Sequence, residues 1–281
     1  MKWNIVTDSS CDLFPQAGFA PGAELSSVPF VVSVGEHDYV DDPSLDTAAF
    51  LDAMEGSEAP SRTSCPSPQA WLEQFEKAEQ SIALTISSNL SGSYNSAMTA
   101  KQMAQERAPE KKIAVLDSLS TGPEVTLCVE KIRALIEAGE EFSSIVEKAQ
   151  AQLRETRIAF ALCSFHNLVK NGRMSRLAGV LARRLNMWGI GIGSEEGTIA
   201  IKGKVRGSAK AMALLVQDMK ERGFRGGRVI ITHCQNLELA QKLQSKILEL
   251  WQSAKVSIMP TRGLCSYYAE RNGLIVGYSQ A

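Results

Sequence analysis

The sequence is poor in histidine and has no paired cysteines. Its three histidines, His37, His166 and His233, are spread over 281 residues. Its six cysteines (Cys11, Cys65, Cys128, Cys163, Cys234 and Cys265) are scattered too, without a C-x-x-C pair. Neither set has metal-ligand spacing, so no metal is expected. A chain of this length needs no disulfide staples, and most of these cysteines sit in apolar stretches, as buried free thiols do. Neither G-x-G-x-x-G nor a Walker phosphate loop occurs, so no nucleotide cofactor is expected. The run Gly189-Ile190-Gly191-Ile192-Gly193 lacks the strand-to-helix setting of such a loop and reads as strand or turn. Thirty basic residues face thirty-one acidic ones, for a net charge of −1. That balance lacks the basic excess that recruits nucleic acid or an anionic membrane. Apolar runs such as Val28 to Val32 and Ile158 to Cys163 fall far short of the ~20 residues that span a bilayer. The chain opens directly on strand-like Lys2 to Val6 rather than on a leader. A soluble, reduced, cytoplasmic setting is expected.

Apolar residues make up 44% of the chain and charged residues 22%, enough for a packed core. A length of 281 residues suggests two domains at about 150 residues each. In the first half, strand-like segments (Asn4 to Thr7, Leu25 to Val34, Ser81 to Ser87, Ile113 to Leu116) alternate with helical ones (Gln69 to Glu79, Tyr94 to Arg107, Glu124 to Glu137). This order predicts an α/β fold with a mostly parallel sheet and helices on both faces, over 1–155. In the second half, Arg157 to Cys163, Thr198 to Lys202, Arg228 to His233, Val256 to Met259 and Leu274 to Tyr278 read as strands. Helices are expected over 177–185, Ser208 to Arg222 and Leu237 to Trp251. This predicts a smaller α/β domain over 156–281 with a mixed or antiparallel sheet. The cleft between the domains is the expected ligand site.

Chemistry-bearing residues gather in hydroxyl-rich loops. Thr7 to Ser10, Asn89 to Ser93 and Asp117-Ser118 each follow a strand, and a parallel sheet brings them to one edge. A fourth cluster, Ser61 to Ser67, precedes the Trp71 helix. Ser91-Gly92-Ser93 opens a helix, whose free N–H groups and dipole favour an anion; Gly92 admits a close approach. Such loops hold a carboxylate without a formal positive charge, though serines at these turns also serve as plain helix caps. Cys65 or Ser93 would be a nucleophile only with a histidine nearby, and Ser91 to Ser93 is not a G-x-S-x-G elbow. Basic residues gather at Arg173, Arg176, Arg183, Arg184, Lys202, Lys204 and Arg206. Of these, Arg173 and Arg206 adjoin glycines near element ends and suit an acidic partner or an anion.

Several segments, taken in order, resemble the DegV family, which includes the fatty-acid-binding subunit of bacterial fatty acid kinase. Thr7-Asp8-Ser9-Ser10-Cys11-Asp12-Leu13 resembles its opening T-D-S-S-x-D-L. Thr63-Ser64-Cys65-Pro66-Ser67 resembles its T-S-Q-P-S. Leu90-Ser91-Gly92-Ser93-Tyr94 is similar to its L-S-G-T-Y, Gly172-Arg173-Met174-Ser175 to its G-R-I-S, and Val205-Arg206 to a later V-R. Three positions depart from it. Cys65 replaces glutamine, Asn186-Met187-Trp188-Gly189 replaces N-x-K-P, and Pro260-Thr261-Arg262-Gly263-Leu264-Cys265 replaces G-T-H-T-G-P-G.

The resemblance implies a long-chain fatty acid between two domains. Its carboxylate would be held by Thr63 or Ser64 and by Ser91, Gly92 and Ser93, with Arg262 standing in for the family histidine. It also implies a separate ATP-dependent kinase subunit that phosphorylates the bound acid, so the chain itself would be a non-catalytic lipid-binding protein. Two alternatives stay open: an acyl-processing enzyme using Cys65 or Ser93, and a binder of another small apolar acid.

Overall fold

The computed structural model describes residues 2–175 and 186–279. Arg176, Arg183, Arg184 and the helix expected over 177–185 lie outside the described residues. The chain begins with β1 (Trp3–Asp8), β2 (Gln16–Ala20), β3 (Ala23–Val28), β4 (Val31–Val34) and β5 (His37–Val40). It continues with α1 (Thr47–Glu55), β6 (Ser61–Ser64), α2 (Pro68–Phe75), β7 (Gln80–Thr85), α3 (Ser93–Arg107), β8 (Lys112–Asp117), α4 (Pro123–Glu137) and α5 (Phe142–Glu155). Then come β9 (Thr156–Leu162), α6 (His166–Lys170), β10 (Met187–Gly193), β11 (Ile199–Arg206) and α7 (Ser208–Glu221). The described residues close with β12 (Arg228–His233), α8 (Leu237–Leu250), β13 (Lys255–Pro260), α9 (Gly263–Ala269) and β14 (Leu274–Ser279).

The first sheet has the order β2-β3-β1-β7-β8 and is parallel except for β2 at its edge. Its central strands are buried on both faces. Val6 and Ala83 pack with Trp71, Phe75 and Ala97 of α2 and α3 on one side. Ile5 and Leu84 pack with Val129, Ile132 and Ile145 of α4 and α5 on the other. The stretch expected as one strand over Leu25 to Val34 divides into β3 and β4, which belong to different sheets. Pro29 separates them; it lacks the N–H that a continuous ladder needs.

The second sheet has the order β11-β10-β9-β14-β12-β13 and is mixed, with only β12 and β13 parallel. Side chains alternate across it with period two. On β9, Ala159 and Ala161 face a core shared with Leu215 of α7 and Leu243 of α8. Ile158, Phe160 and Leu162 face the opposite way, toward the first half of the chain. There they meet Val32, Val34, Phe50 and Leu51, carried by α1 and by a small antiparallel sheet, β5-β4-β6. Helix α4 touches strands of both large sheets. The strand faces left uncovered by α7 and α8 thus become the walls of an internal space. Among the described residues, no helix is long and apolar enough to cross a membrane.

Candidate functional site

Two adjoining cavities run between the halves, with volumes of about 550 and 730 Å³ including their openings. They share Leu90, Thr121, Leu168, Ile199, Tyr268 and Ile275, so they lie side by side. The inner part is walled by Ile158, Phe160, Leu162 and Ile192. The outer part carries the polar groups: Thr63 at the end of β6, Cys65 beyond it, Ser91 and Gly92 before α3, and Arg173 after α6. An apolar tube with a few convergent polar groups at one end suits an amphipathic ligand.

Each polar group is placed by local structure. Ser61 to Ser64 alternate across β6, which turns Thr63 inward and leaves Ser64 exposed. The Thr63 hydroxyl lies 2.8 Å from the Tyr268 hydroxyl. Burial raises the Tyr268 phenol above its ordinary pKa, so it stays a hydroxyl, able to donate to Thr63 or to a ligand. Helix α3 begins after Gly92 without a side-chain cap, and Ser91 and Gly92 at its start line the cavity. Gly92 keeps this approach narrow but open, since a Cβ there would already sit 3.5 Å from Cys65 Sγ. The Arg173 Nε donates to the Leu90 carbonyl at 3.0 Å, and Nη1 to that of Asn171. Among the described residues lining this part of the cavity, Arg173 is the one charged residue.

Other expected site residues fall elsewhere. Ser93 is fully buried, and its Oγ donates to Asp8 Oδ2 at 2.6 Å, so the hydroxyl braces the fold and does not line the cavity. Arg262 is only 1% exposed and is likewise absent from the lining. Its guanidinium donates to the carbonyls of Leu13 (2.8 Å) and Asp41 (2.7 Å) and to Ser27 Oγ (3.1 Å). The expected substitute for the family histidine is therefore a structural cation. Arg206 is exposed at the end of β11, away from the cavity. No hydrogen bond joins Cys65 to a histidine among the described residues; His37 is exposed, and His233 Nδ1 accepts from the Asn236 amide.

The opening T-D-S-S segment is a brace as well. Thr7, Asp8, Ser9 and Ser10 are all buried. Asp8 accepts from the Ser10 amide and hydroxyl, the Ile86 amide and Ser93 Oγ, which ties three loops at the sheet edge together. Ser9 Oγ accepts from the Phe30 amide. Burial raises the Asp8 pKa, and these hydrogen bonds oppose the rise. Asp41 does the same for α9: its carboxylate accepts from the Gly263 and Leu264 amides at 2.8 and 2.7 Å. A side chain at residue 263 would collide with it, since a Cβ there falls 2.8 Å from Asp41 Oδ1. Asp12 Oδ1 accepts from the Arg262 amide, and burial pushes the Asp12 carboxyl up to about 7.

The family model DegV, described as an uncharacterised protein family, matches residues 2–279. The chain belongs to the DegV family. A DegV domain-containing protein of Streptococcus pneumoniae is 40% identical over 278 residues, 99% of each chain. Among solved structures, the S. pneumoniae fatty acid kinase (Fak) B3 protein loaded with linoleic acid aligns at a TM-score of 0.97. It is 40% identical, and the match covers 100% of both chains. A DegV family protein of Eubacterium eligens loaded with heptadecanoic acid aligns at 0.94, with 35% identity over 99% of each chain.

In this DegV chain, sequence reasoning missed Tyr268 and Thr121, which line both parts of the cavity. Thr121 lies in the turn from β8 to α4, just beyond the Asp117-Ser118 pair that the sequence had singled out. Tyr268 falls on α9, a short helix between β13 and β14 that no periodicity announced.

Proposed function

We propose that this chain binds a long-chain fatty acid, with the acyl chain in the apolar space and the carboxylate at the outer end. The observation that carries this reading is the adjacency of the two cavities, the inner walled mainly by apolar side chains and the outer carrying Thr63, Ser91, Gly92, Tyr268 and Arg173. The fatty acids named for the S. pneumoniae and E. eligens structures support it. Burying a sixteen-carbon chain contributes on the order of 10 kcal/mol, at ~0.8 kcal/mol per methylene. The polar groups then need only orient the head group: two hydroxyls and helix-start amides donate, and the nearby guanidinium favours the ionised acid.

The chain would then present that carboxylate to a separate ATP-dependent fatty acid kinase subunit. The sequence has no phosphate loop of its own, and the head-group end adjoins exposed Ser64 and Cys65. Exposed Arg206 is the side chain we assign to partner contact. The acyl-processing alternative has less support: Ser93 is buried against Asp8, and Cys65 has no imidazole bonded to it. Native mass spectrometry of the purified protein tests the reading. A fatty acid retained at one per chain, without a covalent adduct on Cys65, is expected. An acyl adduct on Cys65 would favour the enzyme instead.

A further inference from the structure

The inner end of the cavity is bounded by residues that also border a second space. Leu119, Ile158, Ile192 and Gly193 line the apolar cavity on one side. On the other they line a polar cleft with Glu124, Arg154, Arg157, Glu195 and Arg222. One layer of side chains therefore separates the acyl tube from charged groups. Leu119 is 40% exposed and sits in a loop at φ 50°, whereas Ile158 is held in β9 and Ile192 in β10. At Gly193 a Cβ would fall 2.6 Å from Ile158 Cγ2. Ile158 is β-branched and has little rotameric freedom to yield. Glycine at 193 therefore leaves Ile158 where it stands.

We propose that Leu119 and Ile158 form the chain-length stop of the pocket, and that Gly193 sets its depth; Ile192 pairs with Ala159 and turns its side chain toward the core under α7 and α8. This inference rests on the fatty-acid reading above. Up to the stop, each added methylene leaves water for an apolar wall and strengthens binding about fourfold. Past it, the terminal methyl would emerge among arginine and glutamate side chains and gain nothing. The protein would thus select an upper chain length while tolerating shorter acids with a graded loss.

The test measures the affinity of delipidated protein for saturated fatty acids of roughly twelve to twenty carbons, a range over which burial dominates the differences. Wild type should gain affinity with length and then level off or fall. Ile158→Ala should move that limit by about two carbons to longer acids. Gly193→Ala should move it to shorter ones. Affinity for the shortest acid, whose methyl does not reach the stop, should stay within about twofold in both variants; this also serves as the control for correct folding. An unmoved limit, or a loss of equal size at every length, would overturn the stop while leaving fatty-acid binding in place. Failure of wild type to bind any of these acids would overturn both proposals.

Discussion

The Tyr268 and Thr63 hydroxyls lie 2.8 Å apart at the polar end of the cavity, joining α9 of the C-terminal half to β6 of the N-terminal half. A threonine hydroxyl has one proton. If it accepts from the phenol, its own proton is directed elsewhere, and the carboxylate is the available acceptor. Thr63→Ala should weaken binding of a long-chain acid by about 1.5–3 kcal/mol, the range for a hydrogen bond to a charged group. Tyr268→Phe should cost about 1 kcal/mol. Titration calorimetry with the acid and with its methyl ester checks this. The losses should appear for the acid and shrink for the ester; equal losses for both would place these hydroxyls outside the head-group site.

Arg262 should matter for stability rather than for the ligand. Its guanidinium and the Asp41 carboxylate are both 1% exposed, with Nε and Oδ1 3.8 Å apart. Removing the cation strands a buried carboxylate and two carbonyls. Arg262→Met should therefore destabilise the protein by about 3–5 kcal/mol. Denaturant unfolding reads this directly. A change below about 1 kcal/mol, or a loss confined to ligand affinity, would contradict the assignment.

The same hub should respond to pH. Burial lifts Asp12 to about 7 in the folded chain, against an unfolded value of 3.8. Below about pH 4 both states hold the proton, so Asp12 contributes no pH dependence. Between about pH 4 and 7 the unfolded state releases the proton while the folded state keeps it, so stability falls as pH rises. Above the folded value the penalty is complete. The Asp12 part of the slope should reach up to about 1.4 kcal/mol per pH unit in that window. It should be absent in Asp12→Asn, as measured by urea unfolding of both proteins at several pH values. Identical slopes would show that Asp12 is ionised throughout.

A glycine beneath the cavity wall gives a fourth expectation. A Cβ at Gly191 would fall 2.2 Å from Phe160 Cζ and 3.0 Å from the Ala200 carbonyl. Phe160 lines the acyl tube, so the ring must move into it. Gly191→Ala should cost about 1–3 kcal/mol of stability through overpacking and lower fatty-acid affinity as well. Unchanged melting and affinity would mean that the ring has room to move elsewhere.

Much of the fold was legible in the sequence because strands buried on both faces read as apolar runs. Asn4 to Thr7 and Ser81 to Ser87 correspond to β1 and β7, and the amphipathic pattern from Leu237 to Trp251 corresponds to α8. The small sheet was not legible. His37–Val40 and Ser61–Ser64 are short, half-exposed strands without a marked apolar run; β5 pairs with β4 across a two-residue turn, but β6 pairs with it from a distant part of the sequence. At the site, hydroxyl-rich turns pointed to the correct sheet edge but not to which hydroxyls reach the cavity. Thr63 and Ser91 line it, whereas Ser93 and Ser9 turn inward to brace loops. The role of Arg262 was hidden for the same reason. An arginine beside a glycine in sequence says nothing of Asp41, which stands 221 residues earlier in the chain yet touches it in the fold.

One fatty acid is proposed to fill the two adjoining cavities, with its carboxylate at the Thr63 end. Calorimetric titration of delipidated protein with hexadecanoic acid decides this. Saturable binding of one acid per chain is expected, with a negative heat-capacity change as apolar surface leaves water. Absence of binding, or several weak sites without saturation, would contradict it.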